Sequence, residues 1–125
     1  MDKTVSLGSV KGTITPPSSK SYAQRAIALS LLAEGRTVLR NIEFCKDTRS
    51  ALKCIEALGA KITFLDERTI AIEGGLNPTS NTLYVGESGL ATRLFTPIAS
   101  LCKSPINIQG EGTLLYRPME MMIEP

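Results

Sequence analysis

The segment PPSSKSYAQRAIALSLLAEG, residues 16–35, places cations at the start of a strongly apolar helix. Only three of the eleven residues 23–33 are polar. Such a run predicts a helix over residues 21–34 that is apolar nearly all round and therefore lies in an interior. Lys20 stands just before this helix and Arg25 in its second turn, so their presence needs a physical reason.

The composition of the 125-residue chain limits what it can be. It has 42% hydrophobic and 21% charged residues, as expected of one globular domain or part of one. Its net charge of +2 is too small to indicate a nucleic-acid partner. The chain has no histidine and three widely spaced cysteines, so neither a zinc site nor a histidine-based triad is expected, and the cysteines are interpreted as reduced core residues. No apolar run is long enough to span a membrane, and we expect a cytoplasmic protein.

Strand-like and helix-like segments alternate along the chain. The predicted strands are residues 4–15, 37–42, 61–65, 69–73, 81–88 and 105–110. The predicted helices are residues 21–34, 47–59, 88–102 and 117–124. Two of the strands, KITFL and TIAIE, alternate about a short DER turn, which predicts a hairpin. The second helix is amphipathic and ends at Gly59, and Pro97 is expected to bend or shorten the third.

The chain resembles itself when it is shifted by 68 residues. The shift aligns Ala23-Gln24-Arg25 with Ala91-Thr92-Arg93, Val38 with Ile106, Arg49 with Arg117, and Ile55-Glu56 with Ile123-Glu124. The order of elements also matches, so we predict a β-α-β-α-β-β unit followed by a second, incomplete copy. Because two helices are apolar nearly all round, the predicted fold is α/β (α+β) with helices inside and sheets outside. Because the second copy stops within its second helix, the chain is expected to be part of a longer one.

Cations stand at all four predicted helix starts. They are Lys20 and Arg25, Lys46 and Arg49, Arg93, and Arg117. The predicted N-caps are Ser21, as part of a capping box with Gln24, then Asp47 and Ser88. A helix start already carries partial positive charge, so each added cation is unfavourable by ~0.3–1 kcal/mol unless an anion is bound there.

These cations predict binding sites for phosphate or carboxylate groups, since backbone N–H groups, the helix dipole and a side-chain cation act together. Gly86 and Gly89 would let a ligand approach the backbone closely. The simpler alternative is a set of solvated side chains, above all for Lys46 and Arg49. The acids Glu87 and Asp47 could act as general bases, but acids beside cations are more often their partners.

The segment PPSSKSYAQRA resembles the Pro-x-Ser-Lys-Ser-x-x-x-Arg-Ala segment near the start of the EPSP synthases, the 3-phosphoshikimate 1-carboxyvinyltransferases. Residues 32–60 are similar to the next stretch of that family. GESGLATRLF and GEGTLLYRPMEMMIE are similar to its Gly-rich segment and its Arg-Pro-Met segment. The resemblance covers essentially the whole chain, but only about the first third of a family member.

The resemblance implies a transferase of the shikimate pathway, in aromatic amino acid (chorismate) biosynthesis. Such an enzyme transfers the enolpyruvyl group of phosphoenolpyruvate to the 5-hydroxyl of shikimate 3-phosphate and releases phosphate, without a metal or other cofactor. The implied site residues are Lys20, catalytic and in contact with both substrates; Ser21 and Arg25, for shikimate 3-phosphate; Gly89 and Arg117, for phosphoenolpyruvate; and Arg93 and Glu87 as further candidates.

The resemblance also implies the inside-out barrel of the enolpyruvyl transferases, in which each of two domains contains three β-α-β-α-β-β units. Residues 1–18 would form a strand that crosses to the missing second domain, and without that domain they would be loose or paired with another molecule. Residues 19–125 would form the first unit and part of the second. The partner would be the missing C-terminal part, which holds the proton-transferring groups, so this chain alone is expected to bind anions without turnover. The family usually has Gly at Ser18 and Asn at Glu87, and we expect Glu87 to pair with a nearby arginine.

Two alternatives remain. A UDP-N-acetylglucosamine 1-carboxyvinyltransferase would have Lys-Asn at Lys20-Ser21 and commonly a cysteine in the loop before Arg-Pro, whereas the loop GEGTLLYRP has none. A non-catalytic anion- or RNA-binding module would interleave aromatic and basic residues, and only Tyr22 and Tyr116 lie near the cations.

Overall fold

The computed structural model describes residues 1–122, which form three α-helices, five strands and two short 3-10 helices. The helices are α1 (Lys20–Leu32), α2 (Lys46–Ala57) and α3 (Gly89–Ala99). The strands are β1 (Arg36–Leu39), β2 (Lys61–Asp66), β3 (Thr69–Glu73), β4 (Thr82–Gly86) and β5 (Asn107–Gly110). The 3-10 helices are Gly112–Tyr116 and Glu120–Met122. Of the predicted fourth helix, residues 117–124, only this last turn is seen, and Ile123 and Glu124 lie outside the described residues.

The strands form two separate sheets. In the first, β3 lies between β1 and β2 and is antiparallel to both, with Val38 and Thr63 opposite Ala71. In the second, β4 and β5 are parallel and are joined through α3. The predicted hairpin is therefore confirmed, and its turn is held by Asp66, whose Oδ1 accepts a hydrogen bond of 2.8 Å from the Arg68 N–H.

The hydrophobic core lies between the three helices and the inner faces of the sheets. On α2 the predicted apolar face is confirmed, since Ala51, Leu52 and Ile55, together with Leu58 beyond the helix, are buried. Gly59 ends this helix with a positive φ of 109°, and a side chain there would collide with the backbone of Asn77.

Helix α1 is only half covered, which corrects the expectation of a helix buried all round. Its inner face, including Ile27 and Leu31, is buried, whereas Tyr22 and Leu29 are 77% and 67% exposed. No element among residues 1–122 covers this outer face. Its apolar character is therefore not explained by the packing of this chain alone.

The predicted strand over residues 4–15 is absent: residues 1–19 have no regular secondary structure and are almost entirely exposed. A strand requires a partner to receive its backbone hydrogen bonds, and the described part of the chain offers none to this segment. Pro16 and Pro17 also lack a backbone donor. The crossing of this segment to a second domain stays a prediction.

Two of the three predicted N-caps are wrong. Helix α1 is capped by Ser19, whose Oγ accepts from the Tyr22 N–H at 3.4 Å, so Ser21 lies inside the helix. Helix α2 starts after Cys45 without a side-chain cap bond, and Asp47 lies in its first turn. For α3 the prediction is confirmed, because Ser88 Oγ accepts from the Ala91 N–H at 3.1 Å.

The capping box was wrong because Gln24 has a different partner. Ser88 Oγ donates a hydrogen bond of 2.9 Å to Gln24 Oε1, and the two residues are only 5% and 1% exposed. The bond joins positions 64 residues apart in the chain and holds the start of α3 beside the first turns of α1. A buried polar pair of this kind is costly to leave half-made.

Replacing Gln24→Ala should lower the free energy of unfolding by about 1–3 kcal/mol, because it leaves the buried Ser88 hydroxyl without its acceptor. The matched control is Gln109→Ala, which removes the same side chain from an exposed position of β5. Urea unfolding followed by circular dichroism measures both. Equal losses in the two variants would contradict the structural role of the Gln24–Ser88 bond.

Candidate functional site

Lys20 is the first residue of α1 and forms an ion pair with α2. Its Nζ lies 2.7 Å from Asp47 Oδ2. The hydrogen bond with Asp47, reinforced by the charge of that carboxylate, raises the pKa of Lys20, so the amine stays protonated. The pair holds the starts of α1 and α2 side by side while much of the Lys20 side chain stays exposed.

Ser21 and Arg25 lie one turn apart on the exposed side of α1. Arg25 Nη1 donates to the Ser21 backbone carbonyl at 3.2 Å. Side chains of a helix tilt toward its N-terminus, so Arg25 carries its charge back toward Lys20 although it belongs to the second turn. The first turns of α1 thus present two exposed cations and an exposed serine.

Gly89, Arg93 and Arg117 come together at the start of α3. A Cβ atom at Gly89 would lie 3.1 Å from Arg93 Nη1 and 3.3 Å from Arg117 Nη1. Arg93 Nη1 also donates to the Gly89 carbonyl at 3.1 Å. Any side chain at position 89 would crowd both guanidinium groups, so the glycine keeps them close to the helix start.

The arginine bonds of α1 and α3 are equivalent under the shift of 68 residues. Arg25 bonds the Ser21 carbonyl just as Arg93 bonds the Gly89 carbonyl. The predicted repeat therefore has a counterpart in the local geometry of the two helix starts.

Glu87 does not pair with an arginine, contrary to the expectation. Its Oε2 accepts from the Thr113 N–H at 3.3 Å and from the Thr113 hydroxyl at 3.2 Å. The Thr113 hydroxyl in turn accepts from Arg117 Nη2 at 3.3 Å. Gly112, with a φ of 57°, allows this contact, since a Cβ there would lie 2.5 Å from the Glu87 carboxyl carbon.

The second pair of cations, Lys46 and Arg49, lies in a different place. Together with Lys53, they line a hollow of about 280 Å³ beside Asp47 and Glu87, and Lys20, Arg25 and Arg117 lie outside it. Arg49 makes two local contacts with Phe44. Its Nε donates to the Phe44 carbonyl at 3.0 Å, and its guanidinium carbon lies over the Phe44 ring, 5.7 Å from the ring centre. Arg49 is exposed, as the alternative of a solvated side chain expects, but it is also held by local contacts with Phe44.

The helix starts are thus brought together by contacts rather than by one enclosed cavity. The Lys20–Asp47 pair links α1 to α2, and the Ser88–Gln24 bond links α1 to α3. The Gly89 cluster lies next to Ser88 in the chain. No sequence signal identified Thr113 or the long-range role of Gln24, because each is defined by a partner distant in sequence.

The three cysteine thiols differ in burial, which corrects their interpretation as uniform core residues, since Cys45 and Cys102 are only partly buried. All three are free, and Cys54 alone is fully buried, where desolvation raises its pKa to about 12. Cys45 is half-buried at the start of α2. Partial burial raises its pKa, but hydrogen bonds to Thr48 and to the Asp47 backbone outweigh this and the net shift is downward.

Two structural features are absent from residues 1–122. No three residues among histidine, cysteine, aspartate and glutamate are grouped so as to hold a metal ion. None of the helices in this range combines the length and the apolar character needed to cross a membrane.

A sequence model of the family "EPSP synthase (3-phosphoshikimate 1-carboxyvinyltransferase)" matches residues 6–125. The chain is 34% identical over 120 residues to a 3-phosphoshikimate 1-carboxyvinyltransferase of Thermodesulfovibrio yellowstonii, covering 93% of this chain and 28% of that protein. It is 35% identical over 126 residues to the enzyme of the same name from Methanothermobacter thermautotrophicus, covering 99% and 30%.

A solved structure of EPSP synthase from Acinetobacter baumannii matches with a TM-score of 0.77 and 32% identity, covering 87% of this chain and 25% of that one. The match confirms the predicted fold class, part of an inside-out barrel with mixed helices and strands. The chain spans less than a third of the length of the relatives it matches.

Replacing Asp47→Asn should lower the pKa of Lys20, because the carboxylate that favours the charged amine is removed. Titration of the Lys20 Nζ signal by nuclear magnetic resonance (NMR) measures this. Glu56→Gln, at an exposed position of the same helix, is the control and should leave Lys20 unchanged. An identical Lys20 titration in Asp47→Asn would refute the ion pair.

Alkylation of Cys45 should reach its half-maximal rate at a lower pH than in a short unfolded peptide of the same sequence, because its pKa is lowered in the fold. Cys54 should stay unmodified until the chain unfolds, since it is buried and its pKa is raised to about 12. Mass spectrometry after timed exposure to iodoacetamide measures both. Equal midpoints for Cys45 in chain and peptide would contradict the described environment.

Proposed function

The chain belongs to the EPSP synthase (3-phosphoshikimate 1-carboxyvinyltransferase) family, and on this premise we propose that it supplies part of the substrate site of such an enzyme. The whole protein would transfer the enolpyruvyl group of phosphoenolpyruvate to the 5-hydroxyl of shikimate 3-phosphate and release phosphate. The part described here would hold the anionic groups of both substrates.

The cluster of Gly89, Arg93 and Arg117 is the observation that carries this proposal. Two guanidinium groups converge on Gly89, the first residue of α3, which has no side chain. The first N–H groups of a helix lack intrahelical partners, and guanidinium forks match carboxylate and phosphate oxygens. Phosphoenolpyruvate, which carries both groups on a small carbon skeleton, suits this cluster.

Lys20, Ser21 and Arg25 would hold shikimate 3-phosphate at the adjacent start of α1. The two helix starts are neighbours because of the buried Ser88–Gln24 bond. Lys20 lies at the end of α1 that faces this junction and is kept charged by Asp47. It is therefore placed to contact both substrates, and we propose it as the catalytic residue contributed by this chain.

The proposed contribution to rate is electrostatic. Two anionic substrates repel each other, and fixed cations at neighbouring helix starts lower that repulsion and align the hydroxyl with the enol ether carbon. The nearby acids are already engaged, Asp47 with Lys20 and Glu87 with Thr113. The family resemblance implies that the proton-transferring groups lie outside this chain, so the 125-residue chain alone should bind its ligands without turning them over.

Arg117→Lys should weaken phosphoenolpyruvate binding by about tenfold, because the planar guanidinium fork is lost, and should alter shikimate 3-phosphate binding by less than about twofold. Arg25→Ala should weaken the binding of shikimate 3-phosphate more than that of phosphoenolpyruvate. Calorimetry on the 125-residue chain measures both ligands. The control is Arg68→Ala, at the exposed turn between β2 and β3. Equal effects of all three variants, or a wild-type chain that binds neither ligand, would overturn the proposal.

A further inference from the structure

Thr113 stands between two opposite charges at the phosphoenolpyruvate side of the proposed site. On one side its hydroxyl and backbone N–H both bond Glu87 Oε2, at 3.2 and 3.3 Å. On the other side the hydroxyl oxygen bonds Arg117 Nη2 at 3.3 Å. Within residues 1–122, Glu87 and Arg117 form no direct ion pair, since the ion pair between Lys20 and Asp47 is the one found there.

One hydroxyl group can make both bonds at once. It has a single hydrogen and two lone pairs, so it donates to the carboxylate, which can only accept, and accepts from the guanidinium, which can only donate. The directions of the two bonds are therefore fixed by the chemistry of their ends. The other Arg117 terminal nitrogen, Nη1, points to Gly89.

The loop that carries Thr113 is shaped for this contact. Gly112 has a positive φ of 57°, and the space beside its Cα is filled by the Glu87 carboxyl group. A side chain at position 112 would push Glu87 away from Thr113. The Glu87–Thr113 contact thus involves the backbone of the loop as well as two side chains.

We propose that Thr113 is a positioning residue that keeps Glu87 and Arg117 one hydroxyl apart and so holds Arg117 over Gly89, available for an anion. Without the hydroxyl, the Glu87 carboxylate, which now shares that hydroxyl with Arg117, would be available to the guanidinium as a direct partner. A direct Glu87–Arg117 pair would neutralise the arginine and draw it away from Gly89. The inference rests on the proposed function only in taking that anion to be phosphoenolpyruvate.

The first test needs no ligand. In the 125-residue chain the Arg117 side-chain N–H signals, assigned through Arg117→Lys, should change in Thr113→Val and stay unchanged in Thr113→Ser, which keeps the hydroxyl. Glu87→Ala should also shift them, although Glu87 makes no ion pair with Arg117. Unchanged Arg117 signals in Thr113→Val, or in Glu87→Ala if the valine variant does not fold, would overturn the positioning role.

The second test is a double-mutant cycle with phosphoenolpyruvate as the probe. Thr113→Val should weaken binding about fivefold, the effect of one hydrogen bond, and Thr113→Ser by less than about twofold. In a Glu87→Gln background, where no carboxylate competes for Arg117, Thr113→Val should cost less than about twofold. Equal losses in both backgrounds would contradict the spacer role.

The two tests separate this inference from the proposed function. If the wild-type chain fails to bind phosphoenolpyruvate but the Arg117 signals change in Thr113→Val as expected, phosphoenolpyruvate is not the ligand and the positioning role is supported. If the chain binds phosphoenolpyruvate but the Arg117 signals are the same in Thr113→Val and Glu87→Ala as in the wild type, the ligand is supported and the positioning role is refuted.

Discussion

The buried hydrogen bond from Ser88 to Gln24 is the contact on which the arrangement of this chain depends. It is made between two nearly inaccessible side chains, so neither can exchange its partner for water, and it fixes where the start of α3 meets α1. Ser88 also caps α3, so one hydroxyl orients a helix and attaches it to its neighbour. The apolar core gives most of the burial of these helices, and this directional bond adds a specific contact between two of them.

Charge is gathered at the junction that this bond creates. Each cation at a helix start is unfavourable by ~0.3–1 kcal/mol in the absence of an anion. Only Lys20 has an acidic partner among the described residues; Arg25 and Arg93 bond helix carbonyls, and Arg117 bonds a hydroxyl. Among the described residues these three guanidinium groups, all close to helix starts, form no direct ion pair. A bound anion would remove that cost, which supports the proposed anion site.

Local features could be predicted from the sequence, and long-range ones could not. The hairpin, the buried face of α2, its end at Gly59 and the Ser88 cap depend on neighbouring residues only. Gln24 was assigned to a capping box because its partner lies 64 residues away, and Glu87 was assigned to an arginine because nothing in the sequence places Thr113 between them. The strand over residues 4–15 and the full burial of α1 were wrong for another reason: both require partners that residues 1–122 do not contain.

The central claim is that neighbouring helix starts bind anionic substrates, and backbone NMR during titration of the 125-residue chain tests it most directly. Phosphoenolpyruvate should shift the amide signals of Gly89 and Leu90, and shikimate 3-phosphate those of Ser21 and Tyr22. Both ligands should move the Lys20 Nζ signal, because Lys20 is the first residue of α1, the helix that Gln24 joins to the start of α3. Shifts confined to the hollow lined by Lys46 and Lys53, or no shifts at Gly89 and Lys20, would contradict the account.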